Sequence, residues 1–259
     1  MRDAIWGIEA GAATHVGLVR QRNEDNFLVA THRGMWAVAD GMGGHEAGDI
    51  ASQLVVEELD AISLPSTAAE LLASCEAHMT IANSRLKNLS DERYGALVGT
   101  TVAVLLVFDA FYAGVWSGDS RIYRIHHDRI EQISLDHSEI QELISEGKLN
   151  AEEARTWPRK NVLTRAIGVH DNPELEMKSG TLESGDIFVL CTDGLTTHVE
   201  DHEILAIAGQ HSPQEACDLL IELTLSRGAL DNVTVVAVQF NNTTPPAVPA
   251  ASVGEDIWE

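Results

Sequence analysis

Apolar positions along the chain change their spacing repeatedly, and each change predicts an element. Short apolar or alternating runs bounded by polar residues or glycine predict strands over residues 14–19, 26–31 and 35–39. From residue 50 the spacing becomes helical. Ile50, Ala51, Leu54, Val55, Leu59 and Ile62 share one stripe, with Glu57, Glu58 and Asp60 on other faces. Thr67 and Glu70 read as a capping box opening a second helix, with Leu71, Cys75, Met79, Ala82 and Leu86 along one side. Strands follow over 100–108, 111–116 and 122–126, with Asp109-Ala110 and His127-Asp128 at turn positions.

Residues 135–170 break this rhythm. Ser138 opens a short helix through Ile144 that Gly147 ends, and a brief helix is expected over 151–156 before Pro158. A long, mostly polar excursion between strands is the kind of loop that serves as a lid. Strand character returns over 175–179 and is strong over 187–191. Ser212-Pro213-Gln214-Glu215 starts a helix carrying Ala216, Leu219, Leu220 and Leu223, and 232–240 is a last strand. This order predicts an α+β protein of mainly antiparallel sheets covered by helices. No repeat or long linker divides residues 11–240, so one domain is expected over residues 1–240. Beyond Phe240 come Asn, Thr and Pro, then Glu255 and Asp256, which predicts a disordered acidic tail over 241–259.

Composition narrows the class. The 259 residues include 17 Lys+Arg and 40 Asp+Glu, a formal charge of −23. That charge argues against nucleic-acid and anionic-membrane partners, whose phosphates it would repel, and favours cationic partners or bound metal. Cys75, Cys191 and Cys217 are far apart and form no CxxC pair, so reduced buried thiols are expected rather than a zinc knuckle or disulfide framework. The most apolar run, 102–108, is far below the roughly 18 residues of a membrane span. No signal-peptide core follows Met1, and a cytoplasmic protein is expected.

Acids recur at the ends of the predicted strands. Asp40 follows Trp36-Ala37-Val38-Ala39, Asp119 follows a run ending at Gly118, and Asp193 follows Cys191-Thr192. Asp231 precedes Val233-Thr234-Val235-Val236, and Glu24-Asp25 precede Asn26-Phe27-Leu28. Singly, each reads as turn chemistry. If the strand ends coincide, several carboxylates meet, and cations or protons must relieve them. An all-oxygen donor set suits Mg²⁺ or Mn²⁺ rather than zinc. Arg20 and Arg22 stand beside Glu24-Asp25, where a guanidinium can fork two phosphate oxygens. The glycine-rich stretch from Asp40 to Gly48 runs into a helix and holds His45, a candidate proton donor; it lacks the Lys of a P-loop. His137 is expected to serve as a local hydrogen-bonding residue at a helix start, and His126-His127 as a turn.

Seven blocks in order resemble the metal-dependent Ser/Thr protein phosphatases of type 2C, the PPM family, in bacterial form. They are Val19-Arg20 through Asn23-Glu24-Asp25, Asp40-Gly41-Met42-Gly43-Gly44-His45, Gly99-Thr100-Thr101, and Gly118-Asp119-Ser120-Arg121. Asn161-Val162-Leu163-Thr164-Arg165-Ala166-Ile167-Gly168, Thr192-Asp193-Gly194-Leu195 and Asp231-Asn232-Val233-Thr234 complete the set. The resemblance implies a four-layer α/β/β/α sandwich, two antiparallel sheets flanked by helix pairs, with a metal site at one edge. It implies that Asp40 bridges two Mn²⁺ or Mg²⁺ ions, that the Gly41 carbonyl binds one, and that Asp193 and Asp231 hold the second. Asp119 with Asp193 would form a weaker third site, and Asp25 and Glu24 would act through metal-bound water. Arg20 would grip the substrate phosphate, His45 would be the general acid, and residues 135–170 would be the family's flap. His15 stands where Asp is common and Trp157 where His is common, which bears on site geometry and flap recognition rather than on the core ligands.

The implied activity is hydrolysis of phosphoserine and phosphothreonine by direct attack of a metal-bridging hydroxide, with phosphorylated proteins and a cognate bacterial Ser/Thr kinase as partners and a monomeric enzyme. The alternative is a catalytically weak phosphoprotein-binding module of the same fold. A calcium-binding protein is disfavoured because the D-x-D-x-D-G loop is absent.

Overall fold

The computed structural model describes residues 6–43, 47–150, 153–154, 157, 159 and 162–243. Two antiparallel sheets face each other. The first has the order β1 (Trp6–His15), β11 (Val233–Asn242), β10 (Asp186–Cys191), β7 (Arg121–His126) and β8 (Arg129–Gln132). The second has the order β2 (Asp25–Ala30), β3 (Met35–Gly43), β5 (Val102–Phe108), β6 (Phe111–Ser117) and β9 (Glu176–Thr181), with β4 (Val98–Thr100) pairing on the end of β3. Helices α1 (Ala47–Asp60) and α2 (Ala68–Glu92) cover the second sheet. Helices α4 (Asp193–Thr196), α5 (Asp201–Ala208) and α6 (Pro213–Ser226) cover the first. The α3 helix (Glu139–Ser145) lies in the 135–170 excursion. This is the expected four-layer sandwich. No described helix is long and apolar enough to cross a membrane.

Strand residues divide by parity between a core shared by the two sheets and a core under the helices of their own sheet. Trp36 and Val38 of β3, Phe188 and Leu190 of β10, and Val236, Val238 and Phe240 of β11 fill the space between the sheets. Met35, Ala37 and Ala39 turn instead toward α1 and α2, and Val189, Val235 and Ala237 toward α6. Both faces of the central strands are therefore buried, which is why they read as continuous apolar runs rather than as alternation. Phe240 stands edge-on to Trp36 and to Phe188, with centroids 5.7 and 5.9 Å away. Cys75, Cys191 and Cys217 are buried free thiols, and burial pushes each up to about 12.

The structure corrects several expected boundaries. The first strand is Trp6–His15 rather than 14–19: its small residues Gly7, Ala10, Gly11, Ala12 and Ala13 carry little pattern, yet all ten positions pair with β11. Thr101 separates β4 from β5 within the expected 100–108 strand. The short charged strand β8 and helices α4 and α5 were not anticipated. The last strand runs to Asn242, past the expected boundary at 240, because Asn241 and Asn242 pair with Gly7 and Trp6. Of the brief helix expected over 151–156, residues 153 and 154 are helical and the others lie outside the described residues. The expected tail from 244 onward also lies outside them.

One close approach fixes the junction of α4 with β11. A Cβ on Gly194 would fall 1.9 Å from the carbonyl oxygen of Asn232. Because neither backbone can yield cheaply, Gly194→Ala is expected to destabilise the fold by about 2–3 kcal/mol, read as a lowered midpoint in urea unfolding with unchanged slope.

Candidate active site

The inter-sheet core ends in two successive layers, one of hydroxyls and one of acids. Continuing each inward-facing parity by one step past the apolar residues reaches Thr14, Thr101, Ser120, Thr192 and Thr234, and on β2 and β3 it reaches Asp25 and Asp40. The hydroxyls bond among themselves: Thr14 with Thr234 and Thr101 with Ser120, both at 2.7 Å. They also hold the acids. Thr192 and Thr234 each donate to Asp25 Oδ2 at 2.8 Å, across from one sheet to the other. Thr100 Oγ1 donates to the Asp40 carbonyl at 2.9 Å, and the Asp40 amide donates to Thr101 Oγ1 at 3.0 Å. Asp25 and Asp40 are direct register partners on β2 and β3.

Beyond this layer lies a cleft of about 570 Å³. Arg20, Glu24, Asp40, Gly41, Asp119, Asp193 and Asp231 all line it. Asp119 enters from the β6–β7 turn, Asp193 from the first residue of α4, and Asp231 from the residues before β11. The structure thus brings together at the cleft every sequence-predicted acid, with Asp25 just beneath. His45 lies outside the described residues, so its place relative to the cleft is not described.

Asn232, which the sequence placed in the Asp231–Thr234 block without a role, holds the loop that carries Arg20 and Glu24. Its Nδ2 donates to the carbonyls of Val16 and Arg22 at 2.9 and 2.8 Å, and its Oδ1 accepts from the Glu24 amide at 2.8 Å. The available signal was its place directly after Asp231. Arg20 Nη2 donates to Asp231 Oδ2 at 2.7 Å, and that bond raises the guanidinium further. Its side chain is 54% exposed, so it can reach a ligand at the mouth without breaking a buried contact. Gly41 is packed against its surroundings: a Cβ there would lie 1.9 Å from the Gly48 carbonyl oxygen and 2.7 Å from that of Glu24.

Burial, and then the charges of their neighbours, hold Asp25, Asp40, Asp119 and Asp193 above the ordinary carboxylate range. Asp25 is pushed up to about 7 and Asp119 up to about 8. Asp40 and Asp193 are raised as well, Asp40 against Asp25, Asp193, Asp119 and Asp231 together. Glu24 is raised by burial and by Asp49. Asp25 Oδ1 and Asp193 Oδ1 are buried without a hydrogen-bond partner. Among the described residues no three of these side chains close on one point, but a divalent ion that keeps several waters needs only one or two carboxylates. Orphaned carboxylate oxygens, mutual repulsion and an all-oxygen donor set fit hard divalent cations.

The 135–170 excursion returns to the cleft. Thr100 and Ile167 exchange main-chain hydrogen bonds at 3.0 and 2.9 Å, and Ser138 bridges Leu163. Leu163, Thr164 and Arg165 line the cleft, and Arg165 is held by Glu176 at 2.6 Å. His137 is the local hydrogen-bonding residue expected: its amide donates to the Gly118 carbonyl at 2.9 Å, and its Nδ1 accepts from the Gly118 amide at 3.1 Å. His15 Nδ1 accepts from the Gly17 amide at 2.9 Å, so it shapes the turn before Arg20. Trp157 Nε1 donates to Glu139 Oε1 at 3.4 Å, within the excursion.

The family model for protein phosphatase 2C matches residues 15–216. The chain is similar to protein phosphatase PhpP of Streptococcus pneumoniae, 36% identical over 244 residues, which cover 90% of this chain and 98% of that one. Among solved structures it is similar to PppA, described as a key regulatory component of T6SS in Pseudomonas aeruginosa, with TM-score 0.84, 36% identity and coverage of 90% and 97%. It is also similar to the catalytic domain of the serine/threonine protein phosphatase PstP in complex with two manganese ions, with TM-score 0.80, 34% identity and coverage of 91% and 99%.

Proposed function

Because this chain belongs to the protein phosphatase 2C family, we infer that it hydrolyses phosphoserine and phosphothreonine in phosphorylated proteins with the help of bound Mn²⁺ or Mg²⁺. The observation that carries this reading is the meeting of carboxylates from separate strand ends with the accessible Arg20 guanidinium in a single cleft. A pair of divalent ions supplies, when bound, a nucleophilic hydroxide near neutral pH and positive charge against the phosphoryl oxygens.

The chain's own groups do the rest. Asp40, the Gly41 carbonyl, Asp193 and Asp231 are the proposed ligands of the two ions, and Asp25 and Glu24 orient water from beneath and beside them. Thr192 and Thr234 keep Asp25 facing the acids rather than solvent. Arg20 forks two phosphoryl oxygens, and its bond to Asp231 aims it at the same point. His45 is the proposed donor of a proton to the leaving Ser or Thr oxygen. Asp119 with Asp193 is proposed to hold a weaker third ion, a reading supported by both side chains lining the same cleft. As parts of the same proposal, the enzyme works as a cytoplasmic monomer and reverses a Ser/Thr kinase; three buried free thiols suit a reducing compartment.

The test is hydrolysis of a phosphothreonine peptide with Mn²⁺, with Mg²⁺ and with chelator, beside Arg20→Ala. Activity is expected to require metal, and the variant to raise KM by about 10- to 100-fold, the scale of a lost charge-assisted pair. Metal-loaded protein that binds the peptide without turnover would favour the binding module instead.

A further inference from the structure

Two unlike surfaces meet in the cleft. One carries Arg20 and the acids. The other is aliphatic: Met42 near the end of β3, Leu97 just before β4, and Val162 and Val169 on the returning flap. Three of these stand in the open, Leu97 at 54% and both valines at 37% exposure. Ligating metal and gripping phosphate require none of them.

Their positions are fixed by main chain. Gly43 pairs with Val98, which sets Leu97 at the cleft edge. The Thr100–Ile167 exchange of hydrogen bonds sets the flap return against β4. Met42 and Val169 converge over Gly99, where a Cβ would lie 3.1 Å from Met42 Cε and 3.2 Å from Val169 Cγ2. Exposed aliphatic side chains held on paired backbone, continuous with a reaction cleft, mark a contact surface for what enters it.

We propose that the cleft selects phosphosites flanked by a bulky aliphatic residue, which lies against Leu97, Met42 and Val169 while the phosphate sits at Arg20. This rests on the phosphatase reading and names the substrate class of that site. The surroundings decide the chemistry of the occupant. A flanking carboxylate would be repelled by Asp40, Glu24 and their neighbours. A small polar residue would leave the aliphatic wall wet. A Leu, Ile, Val or Met displaces that water from both surfaces.

The test uses phosphothreonine peptides that differ only in carrying Leu, Ser or Glu at the positions flanking the phosphothreonine. Wild type, Leu97→Ser and Val169→Ser are assayed with Mn²⁺, alongside p-nitrophenyl phosphate. At one flanking position Leu is expected to raise kcat/KM over Ser by about tenfold, the low end for an apolar contact open on one side, acting through KM. Glu is expected to fall below Ser. In the variants the Leu-to-Ser ratio is expected to fall to about two or less. Leu97 is half exposed, so serine there leaves the core intact. Equal kcat/KM for Leu and Ser at every position, or an undiminished preference in both variants, overturns the proposal. Hydrolysis of p-nitrophenyl phosphate without discrimination among peptides sinks this specificity alone. If no ester is hydrolysed, the phosphatase reading fails and the proposal falls with it.

Discussion

Replacing Asp40 by Asn is expected to lower kcat for a phosphothreonine peptide by about 1000-fold or more, the scale of losing a charge-stabilising group from a preorganised site. The same substitution is expected to make the chelated protein more stable. Asp40 stands half-buried in register with Asp25 and is opposed by the charges of Asp25, Asp193, Asp119 and Asp231. An Asn at this position carries no charge at any pH, so the chelated fold no longer bears the cost of ionising or protonating a carboxyl among those neighbours. The amide keeps the shape of the carboxyl it replaces. The bonds to Thr100 and Thr101 use only the Asp40 main chain and survive the change. The expected rise in melting temperature with chelator is about 3–6 °C, and the upward shift on adding Mn²⁺ should shrink. Scanning fluorimetry beside the peptide assay reads both effects. An ordinary folding defect would lower activity and melting temperature together, so a fall in the chelated melting temperature would contradict this account.

Without metal, the protein is expected to lose stability as pH rises toward and past 8. Asp25 is held at about 7 and Asp119 at about 8, against an ordinary 3.8, and Asp40 and Asp193 are raised in the same direction. The folded chain therefore binds protons more tightly than the unfolded chain between about pH 4 and pH 8. With more protons on the native state, stability falls as pH increases across that window, and above it the loss is complete. A fall in melting temperature of at least about 5 °C between about pH 6 and pH 8.5 is expected in chelator. Saturating Mn²⁺ stabilises the ionised acids and should abolish that fall. A chelated protein whose melting temperature is flat or rises over this range would show that the acids do not crowd one another in solution.

The sequence was most legible where pattern and chemistry coincide. The Leu71–Leu86 stripe and its Thr67 cap gave α2, whose Thr67 Oγ1 accepts from the Glu70 amide at 3.0 Å. Asp40, Asp119, Asp193 and Asp231 were legible because each interrupts an apolar run, and pairing then places those interruptions at one edge. The strand β1 was hidden because Ala and Gly satisfy a pairing partner without marking a face. Asn232 was hidden for a different reason: its work is done against the main chain of residues 16, 22 and 24, contacts that no local pattern announces. Arg165 and the aliphatic wall were also out of reach, since they acquire meaning only when the flap folds back onto β4.

The pairing of β1 with β11 also governs what can be joined to this protein. Trp6 lies opposite Asn242, so the entering and leaving chain meet side by side. The strand β11 starts beside Asp231 at the cleft and runs ten residues away from it, a span of roughly 30 Å at the rise of an extended chain. A reporter joined directly at Trp6 or Asn242 would therefore attach at the end of these strands remote from the acids. The same adjacency suits circular permutation: a short linker replacing the residues outside Trp6 and Asn242, with new termini opened in an exposed turn such as His127-Asp128, would keep every strand in its sheet.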